Sequence, residues 1–480
     1  MTCQEPSAKD ISIMKSSIHE MPTKKATHKI HKLQGLGHLI LSVLVVCGTL
    51  MYRYLKMGPF MELSCSLAGR NCPVQVSSQG YVDSMYLAVK DAFEKNFLLG
   101  HDIGAGVAVY VDNELVIDLQ AGWQDKENHT PFSEDTLQVV FSSTKVLTSI
   151  VVAQFVQKGL LSYDEKISTY WPEFAQGNKE NVTLNDLMQH AAGVGFMDRI
   201  LTSAEAQDLE LFESILAKRP HTFDGVRKRS YHAATHGWYI NAILRRVANC
   251  TVDDVAAELN QKYGIEWYLK PYQEEFDNRI AKIYRGSKFH RTISFLLEFV
   301  LNGPHSFSEI KAILDKDGVV QKTLRTSALD NAPIEHAAIM PYRQIEGPSY
   351  SGFTNARSMA KLAAMMANGG KAIQDDEPDL LDEKTYALAT EPVEVEYDWA
   401  TRRYVPSLRS GFAVVTEHVI DNVTFIGWTG LGGSILYWNP EHRIGFGYCP
   451  NGMARLPSPD HRSLSILEAL VKRVKALEHK

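Results

Sequence analysis

Ser142 and Lys145 form an S-x-x-K pair at the start of an apolar, helix-like stretch, FSSTKVLTSIVVAQFVQKG, which begins at Phe141. Residues three apart on a helix share a face, so the hydroxyl and the amine can meet. A serine hydroxyl becomes an effective nucleophile when a neighbouring base takes its proton. A lysine can be that base when burial and the positive potential of a helix N-terminus lower its pKa. The pair therefore indicates covalent catalysis by a serine.

A second interpretation of Ser142 is structural. Serine is a preferred N-cap, because its side-chain oxygen accepts a hydrogen bond from an early helical N–H. The same spacing also occurs at Ser308–Lys311 and Ser358–Lys361, where nothing else suggests catalysis. The motif alone leaves the capping and the catalytic interpretations open.

The elements that must position this pair are strands near both ends of the chain and helices between them. GAGVAVYVDNELVIDLQAG predicts a hairpin, and VTFIGWTG and GGSILYWNPEHRIGFGYCPNG predict further strands near the C-terminus. Residues 82–100 and SLSILEALVKRVKAL have helical spacing, and 142–368 is mainly helical. We predict an α/β (α+β) fold: an antiparallel sheet built from both ends of the chain, flanked by helices, with an inserted helical region.

Several stretches of the chain, in order, resemble one protein family. They are FSSTKVLTSIVVAQFVQKGLLSYDEKISTYWPEF, VTLNDLMQHAAGV, YHAATHGWYINAIL, GFTNARSMAKLAAMMANGG and GWTGLGGSILYWNPEHRIGFGY. Together they are similar to the serine beta-lactamase and penicillin-binding-protein superfamily. The resemblance is strongest to the class C and peptidase S12 branch, which includes family VIII esterases, and to animal beta-lactamase domain-containing proteins. It extends over residues 82–475 and implies a beta-lactamase/transpeptidase-like fold.

The resemblance implies a role for each residue at a motif position. Ser142 would be the nucleophile and Lys145 its proton-handling partner, while Tyr231, the phenol of the second motif, would share the role of general base. The backbone N–H groups of Ser142 and Leu431 would form the oxyanion hole, each contributing on the order of 3 kcal/mol to transition-state stabilisation. The implied enzyme is a serine hydrolase that cleaves a small-molecule ester or amide, or a peptide, without a cofactor.

Two motifs depart from the family pattern. The second ends in His232-Ala233 where the family usually has asparagine, and the third reads Trp428-Thr429-Gly430 where the family usually begins with lysine or histidine. An indole N–H is only a donor and carries no positive charge. We therefore expect the pocket beside Trp428, Thr429, Gly430 and His232 to accept a neutral, more apolar acyl group rather than a penicillin-like carboxylate.

Histidines near these motifs offer alternative bases. His232 could in part replace the missing basic residue, but an extended segment would direct its side chain away from Tyr231. We therefore favour structural hydrogen bonding for His232. His190, in LMQHAAGV, lies at a predicted helix end, and we interpret it as structural too.

Two functions from different classes remain open. Retention of Ser142, Lys145 and Tyr231 favours a hydrolase, whereas the altered motifs are compatible with an inactive beta-lactamase-fold protein that acts as a binding or assembly scaffold. The chain has no G-x-S-x-G elbow of an α/β-hydrolase, and its H-x-x-H, His28–His31, precedes the apolar segment, so we expect no metal site. A net charge of −6 without a basic stripe gives no reason to expect a nucleic-acid partner.

The N-terminal region differs in kind from the rest. Residues 1–32 are polar and lysine-rich toward their end, and the apolar stretch 33–55 is close to the length that spans a bilayer. The lysine bias predicts a cytoplasmic N-terminus, so we expect an uncleaved signal-anchor and a lumenal or extracellular remainder. A cleaved signal peptide, giving a secreted protein, is the alternative. The acidic residues and the lack of arginine in 1–32 disfavour a mitochondrial presequence.

This topology divides the chain into a cytoplasmic tail (1–32), a transmembrane signal-anchor (33–55), a juxtamembrane linker (56–81) and a hydrolase domain (82–475). Within that domain, the less family-like 264–348 is a candidate lid, or a peripheral elaboration. Cys65 and Cys72 could pair as a disulfide in an oxidising compartment. Four N-x-S/T triplets are candidate glycosylation sites: Asn128, Asn181, Asn249 and Asn422.

Overall fold

The computed structural model describes residues 23–293, 296, 311–312, 314–453 and 461–478. The chain forms two units, divided between Lys56 and Met57. The first contains helix α1 (Thr23–Lys56), in which Leu36–Lys56 is long and apolar enough to cross a membrane. That stretch includes most of the predicted apolar segment 33–55.

The second unit has a central antiparallel sheet in the order β1-β3-β2-β14-β13-β12-β11, with β4 paired to β3. Strands β2 and β14 come from the two ends of this unit and lie side by side, with Ala108 opposite Gly447. The predicted fold, one sheet built from both ends of the chain and flanked by helices, is confirmed. The strands of this sheet are β1 (Gln79–Val82), β2 (Gly104–Val111), β3 (Glu114–Asp125), β4 (Thr130–Pro131), β11 (Ala413–Ile420), β12 (Val423–Thr429), β13 (Ile435–Asn439) and β14 (Ile444–Pro450).

Short strands pair outside the main sheet. A three-stranded sheet has the order β5-β8-β6, and two-stranded sheets are formed by β9 with β10 and by β7 with β15. Their bounds are β5 (Gln138–Val139), β6 (Trp267–Tyr268), β7 (Tyr284–Arg285), β8 (Phe353–Thr354), β9 (Glu396–Asp398), β10 (Arg403–Val405) and β15 (Gly452–Met453).

The helices of the second unit lie on both faces of the main sheet and in the long connection between its halves. They are α2 (Leu63–Ala68), α3 (Leu87–Leu98), α4 (Thr144–Gln157), α5 (Ile167–Tyr170), α6 (Leu184–Met188), α7 (Ser203–Gln207), α8 (Leu209–Lys218), α9 (Thr235–Ala248), α10 (Val252–Tyr263), α11 (Val319–Thr326), α12 (Ala356–Ala367), α13 (Glu383–Ala389) and α14 (His461–Glu478).

Strand β2 shows why the sheet is buried on both faces. Its side chains alternate: Val107 and Val109 pack in the core formed with α3 and α14, whereas Ala108 and Tyr110 pack in the core formed with α4 and α12. A strand covered on both faces is apolar throughout because every position is buried. The sheet is therefore a rigid support for α4, whose first residues follow the S-x-x-K serine.

The segment that follows α1 is folded, although the sequence predicts a linker over 56–81. The N–H of Gly58 donates to the carbonyl of Leu99 at 2.6 Å, and that of Phe60 donates to Gly100 at 3.0 Å. Helix α2 comes next, and a disulfide joins Cys65 to Cys72. Strand β1 then pairs with β3. Main-chain hydrogen bonds thus tie this segment to the second unit from its first residues.

The described part of 264–348 is integrated into the second unit. Strand β6 pairs with β8, and Phe276, Ile280 and Ile283 are buried in a cluster that also contains Phe141. The side chain of Leu431 packs on the same cluster. This part of the candidate lid therefore forms a packed wall next to two of the motif segments. Its residues 294–295, 297–310 and 313 lie outside the described residues.

Candidate active site

Ser142 lies in a 3₁₀ turn, Phe141–Ser143, immediately before α4. Phe141 has φ +46°, in the left-handed region that bulky residues rarely adopt, so the turn is locally strained. Its ring is buried in the cluster that fixes it there. Ser142 is half-buried, and no side-chain cap bond is formed at either end of this turn. The structure therefore does not support the capping interpretation of this serine.

The second motif meets this turn through a direct hydrogen bond. The phenol of Tyr231 donates to Ser142 Oγ at 2.7 Å. Tyr231 precedes α9 and is separated from Ser142 by 89 positions in the chain. Tertiary folding thus brings the two residues together, as the resemblance implies.

Lys145 lies in the first turn of α4, with only 3% of its side chain exposed. Its Nζ donates to the carbonyls of Ala233 at 2.7 Å and Ser349 at 2.9 Å, and it lies 4.8 Å from the ring centroid of Tyr231. Among the described residues, Nζ makes no hydrogen bond to Ser142 or to the Tyr231 hydroxyl. Burial lowers the pKa of Lys145 well below its ordinary value, because the charged form is desolvated. A neutral amine with both N–H groups on carbonyls keeps a lone pair for a proton.

The environment of Tyr231 favours the protonated phenol. Burial raises its pKa to about 12, although its hydrogen bonds with Ser142 and Trp428 act in the opposite direction. Among more distant charges, that of Asp398 raises the pKa of Tyr231 and that of Arg403 lowers it. The indole of Trp428 is stacked on the phenol ring, with centroids 5.8 Å apart. Tyr231 therefore rests as a neutral donor against an aromatic surface.

A buried ion pair holds the main chain at Tyr231. The N–H of Tyr231 donates to Asp398 Oδ1 at 3.1 Å, and Arg229 Nε donates to Asp398 Oδ2 at 3.3 Å. Both charged side chains are 2% exposed. Arg229 Nη1 also donates to Ser407 Oγ at 2.8 Å. Sequence reasoning missed Asp398 and Arg229, because neither is part of a recognisable motif.

The third motif ends in a turn that contacts the nucleophile segment. A Cβ on Gly430 would lie 2.1 Å from the carbonyl oxygen of Val140, so only glycine allows this approach. Ser434 Oγ donates to the same carbonyl at 2.7 Å, and Ser143 Oγ donates to the carbonyl of Ser434 at 3.2 Å. The turn that carries Leu431 is thus hydrogen-bonded to Val140 and to Ser143, which lie on either side of Ser142 in the chain. Among the described residues, the N–H groups of Ser142 and Leu431 have no hydrogen-bond acceptor.

Three histidines fill the space behind Tyr231. His190 packs edge-on against Tyr231, with centroids 5.0 Å apart, and lies 5.0 Å from His236. His232 hydrogen-bonds the carbonyl of Ser230 through Nδ1 at 2.6 Å, and its Nε2 accepts from the N–H of Val194 at 3.4 Å. Desolvation lowers the pKa of all three histidines, that of His232 to about 4. These contacts fit structural roles, and His232 makes no hydrogen bond to Ser142 or Tyr231 within the described chain.

The glycosylation candidates all lie on the surface. Asn128, Asn181, Asn249 and Asn422 are exposed. The amide of Asn128 donates to Asp125 at 2.7 Å, and Asn181 accepts from Lys166 Nζ at 2.8 Å. Asn249 and Asn422 lie at a helix end and in a turn, with φ +51° and +64°.

Comparisons with known proteins identify the family and the fold. The beta-lactamase family model matches residues 92–287 and 300–471. The chain is 27% identical over 421 residues to the esterase/beta-lactamase LipL of Mycobacterium tuberculosis, covering 84% of this chain and 89% of LipL. It is 33% identical over 189 residues to the mitochondrial serine beta-lactamase-like protein LACTB of Mus musculus, covering 38% and 34%. A family VIII carboxylesterase structure superposes with a TM-score of 0.70 at 24% identity, covering 83% of this chain and all of that one.

Proposed function

The chain belongs to the beta-lactamase family and is a serine hydrolase, and we propose that it cleaves a neutral ester through an acyl-enzyme on Ser142. The observation that carries the proposal is the 2.7 Å hydrogen bond between Tyr231 and Ser142 Oγ, beside a buried lysine whose neutral form is favoured. An ester is preferred over an amide because the names of two relatives, the esterase/beta-lactamase LipL and the esterase EstB of Burkholderia gladioli, share the esterase activity. A pure scaffold would have no use for this constellation.

In the proposed acylation, Ser142 Oγ forms a bond to the substrate carbonyl carbon. The serine proton passes to the oxygen of Tyr231 as the phenol proton moves to the lone pair of Lys145, so no free phenolate is needed at its raised pKa. The carbonyl oxygen becomes an anion, for which the N–H groups of Ser142 and Leu431 are the proposed donors. Collapse of this intermediate breaks the ester bond, and the departing alkoxide takes the proton back through Tyr231.

Deacylation repeats the sequence with water in place of the alcohol. Water gives its proton to the Tyr231–Lys145 pair, and its oxygen attacks the acyl carbon. Collapse of the resulting intermediate breaks the bond to Ser142 Oγ, which takes that proton back through Tyr231 as the carboxylic acid leaves. Lys145 fits this role because the carbonyls of Ala233 and Ser349 hold both N–H groups of its neutral amine. Each cycle therefore consumes one ester and one water, and it returns the enzyme to its resting protonation state.

Selectivity for a neutral acyl group is proposed from Trp428. In this chain an indole stacks on Tyr231 where the family resemblance would place a basic side chain. The indole contributes apolar surface and one N–H donor but no charge. Thr429 and Gly430 continue the same strand end, so the third motif contributes no cation beside Tyr231.

Active-site labelling tests the nucleophile. We expect a fluorophosphonate probe to modify the wild-type protein and to leave Ser142→Ala unmodified. Ser358→Ala is the matched control, because Ser358 belongs to another S-x-x-K and its Oγ accepts the N–H of Glu266. Labelling of Ser142→Ala at the wild-type rate, or no labelling of wild type, would contradict the proposal.

We further propose that Leu36–Lys56 is a signal-anchor with a cytoplasmic N-terminus. The length and apolarity of this helix, the lysines before it, the Cys65–Cys72 disulfide and the four exposed N-x-S/T triplets support this topology. The competing location is the mitochondrion, because the LACTB relatives are named as mitochondrial proteins.

Glycosidase treatment of the full chain expressed in animal cells separates these locations. We expect the mobility of the protein to shift, and the shift to diminish when Asn181, Asn249 and Asn422 are each changed to glutamine. A protein without any shift that fractionates with mitochondria would overturn the lumenal topology and leave the hydrolase proposal intact.

A further inference from the structure

Arg462, near the start of α14, is buried among main-chain carbonyls on the side of the third-motif turn. Only 1% of its side chain is exposed. Its Nη2 donates to the carbonyl of Gly432 at 2.5 Å, and its Nη1 donates to the carbonyl of Gly452 at 2.9 Å and to Asp102 Oδ1 at 2.7 Å. One guanidinium therefore joins the turn that carries Leu431 to two other segments of the unit.

The carboxylate that pairs with Arg462 is itself fixed. Asp102 is fully buried at its side chain, and its Oδ2 accepts from the hydroxyl of Tyr448 at 2.5 Å. A buried charge is tolerated when it is both paired and hydrogen-bonded, and removal of one partner is strongly destabilising. The planar fork of arginine can serve several acceptors in one fixed geometry, which an ammonium cannot reproduce. The position of Arg462 is thus determined independently of the turn that it holds.

The turn needs such a support because of its composition. Gly432 and Gly433 have φ +95° and +101°, and glycine gives this backbone wide conformational freedom. On one side of Leu431, the N–H of Gly430 donates to the carbonyl of Ser434 at 2.8 Å. On the other side, Arg462 is the side chain that holds the Gly432 carbonyl. Leu431 is therefore bracketed by two main-chain attachments.

We propose that Arg462 is a positioning residue for the oxyanion hole. It touches no substrate and acts through Gly432, fixing the direction in which the Leu431 N–H points. The inference rests on the proposed function for its catalytic consequence, but the attachment of the turn is a property of the folded chain alone. An oxyanion donor must be aimed at the developing charge before the reaction begins, so a loosened turn lowers the rate without weakening ground-state binding.

The test compares Arg462→Lys with Arg219→Lys in the full-length protein. Arg219 is a matched control: it is 7% exposed, it pairs with Asp198, and its Nε donates to the carbonyl of Phe196 at 2.9 Å. We expect hydrogen exchange at the amides of Gly430 and Gly433 to become about 10-fold faster in Arg462→Lys and to stay unchanged in Arg219→Lys. With a neutral ester, kcat should fall about 10-fold in Arg462→Lys with KM within about 2-fold.

Tyr448→Phe provides a milder variant in case Arg462→Lys does not fold. It removes one hydrogen bond from Asp102 and should change the exchange rate and kcat in the same direction by a smaller factor. Unchanged exchange in the turn of both variants, or equal acceleration in Arg219→Lys, overturns the inference. If wild type hydrolyses no ester, the proposed function fails, and hydrogen exchange still decides whether Arg462 holds the turn.

Discussion

Tyr231 and the turn that carries Leu431 each lie beside a buried arginine–aspartate pair. At Tyr231, the carboxylate of Asp398 accepts the N–H of that residue, and Arg229 balances the charge. At the turn, the guanidinium of Arg462 donates to the carbonyl of the residue after Leu431. The first pair thus holds the peptide of a residue that touches Ser142, whereas the second holds a neighbour of a backbone donor. Damage to the first pair should therefore affect proton transfer more directly than damage to the second.

The largest effect is expected from removing the hydroxyl of Tyr231, whose main chain the Arg229–Asp398 pair positions. Tyr231→Phe deletes the hydroxyl that contacts Ser142, and we expect kcat/KM for a neutral ester to fall by about 10²–10⁴. The melting temperature should change little, because the ring and its stacking on Trp428 remain. Steady-state kinetics and a thermal melt provide the measurement, with the exposed Tyr404→Phe as control. A fall of less than about 3-fold would exclude Tyr231 from proton transfer.

Breaking the two pairs sharpens the comparison. Asp398→Asn leaves Arg229 buried and uncompensated, which should cost about 3 kcal/mol of unfolding free energy. Asp102→Asn should cost a similar amount, because its pair with Arg462 is equally buried. We expect kcat to fall further in Asp398→Asn than in Asp102→Asn. Both kcat values are measured below the melting temperatures of the two variants, and denaturant unfolding gives the free energies. The reverse order of kcat values would contradict the comparison.

A charge added at the third motif should change selectivity. Trp428→Lys places an ammonium where the family pattern has a basic residue, and a hydrogen bond to a charged group is worth about 1.5–3 kcal/mol. We expect the ratio of kcat/KM for a carboxylate-bearing ester to that for its methyl ester to rise about 10-fold. Trp428→Phe, which keeps the aromatic surface without a charge, should leave the ratio near its wild-type value. An equal ratio in all three proteins would show that Trp428 does not set this selectivity.

The smallest effect per residue is expected from acid. His190, His232 and His236 have lowered pKa values because burial desolvates their charged forms. Below about pH 6.5 these histidines bind protons in the unfolded chain but stay neutral in the folded chain. The free energy of unfolding therefore decreases as pH falls. Each histidine contributes at most about 1.4 kcal/mol per pH unit. Melting temperatures at pH 7.5, 6.5 and 5.5 should fall in that order, less steeply in His236→Gln. A flat profile would contradict the neutral, buried assignment.

Local patterns in the sequence were sufficient to predict the sheet, whereas the candidate site residues came from the family resemblance. Alternation in β2 and β3 and the order of the motif segments indicate the fold. The resemblance assigns the site roles to Ser142, Lys145, Tyr231 and Leu431. The expectation that Lys145 contacts Ser142 one helical turn away considered only residues close together in the sequence. In the structure, its Nζ donates to Ala233 and Ser349, which are distant in the chain.

The supporting residues could not be predicted for a related reason. Asp398 and Asp102 act on segments 167 and 360 positions away, respectively, so no short motif contains both partners of either contact. The positive φ of Phe141 is equally hidden, because a buried phenylalanine has no intrinsic preference for that conformation. Positions of this kind are set by tertiary packing, which periodicity and composition do not report.

The docking of Gly58 and Phe60 directly after α1 has a consequence for the reach of the enzyme. A flexible tether would let a catalytic unit sweep a volume that grows with tether length, but here the chain is fixed to that unit within two residues of Lys56. The residues directly after Lys56 are therefore part of the folded unit and add no flexible length to the chain.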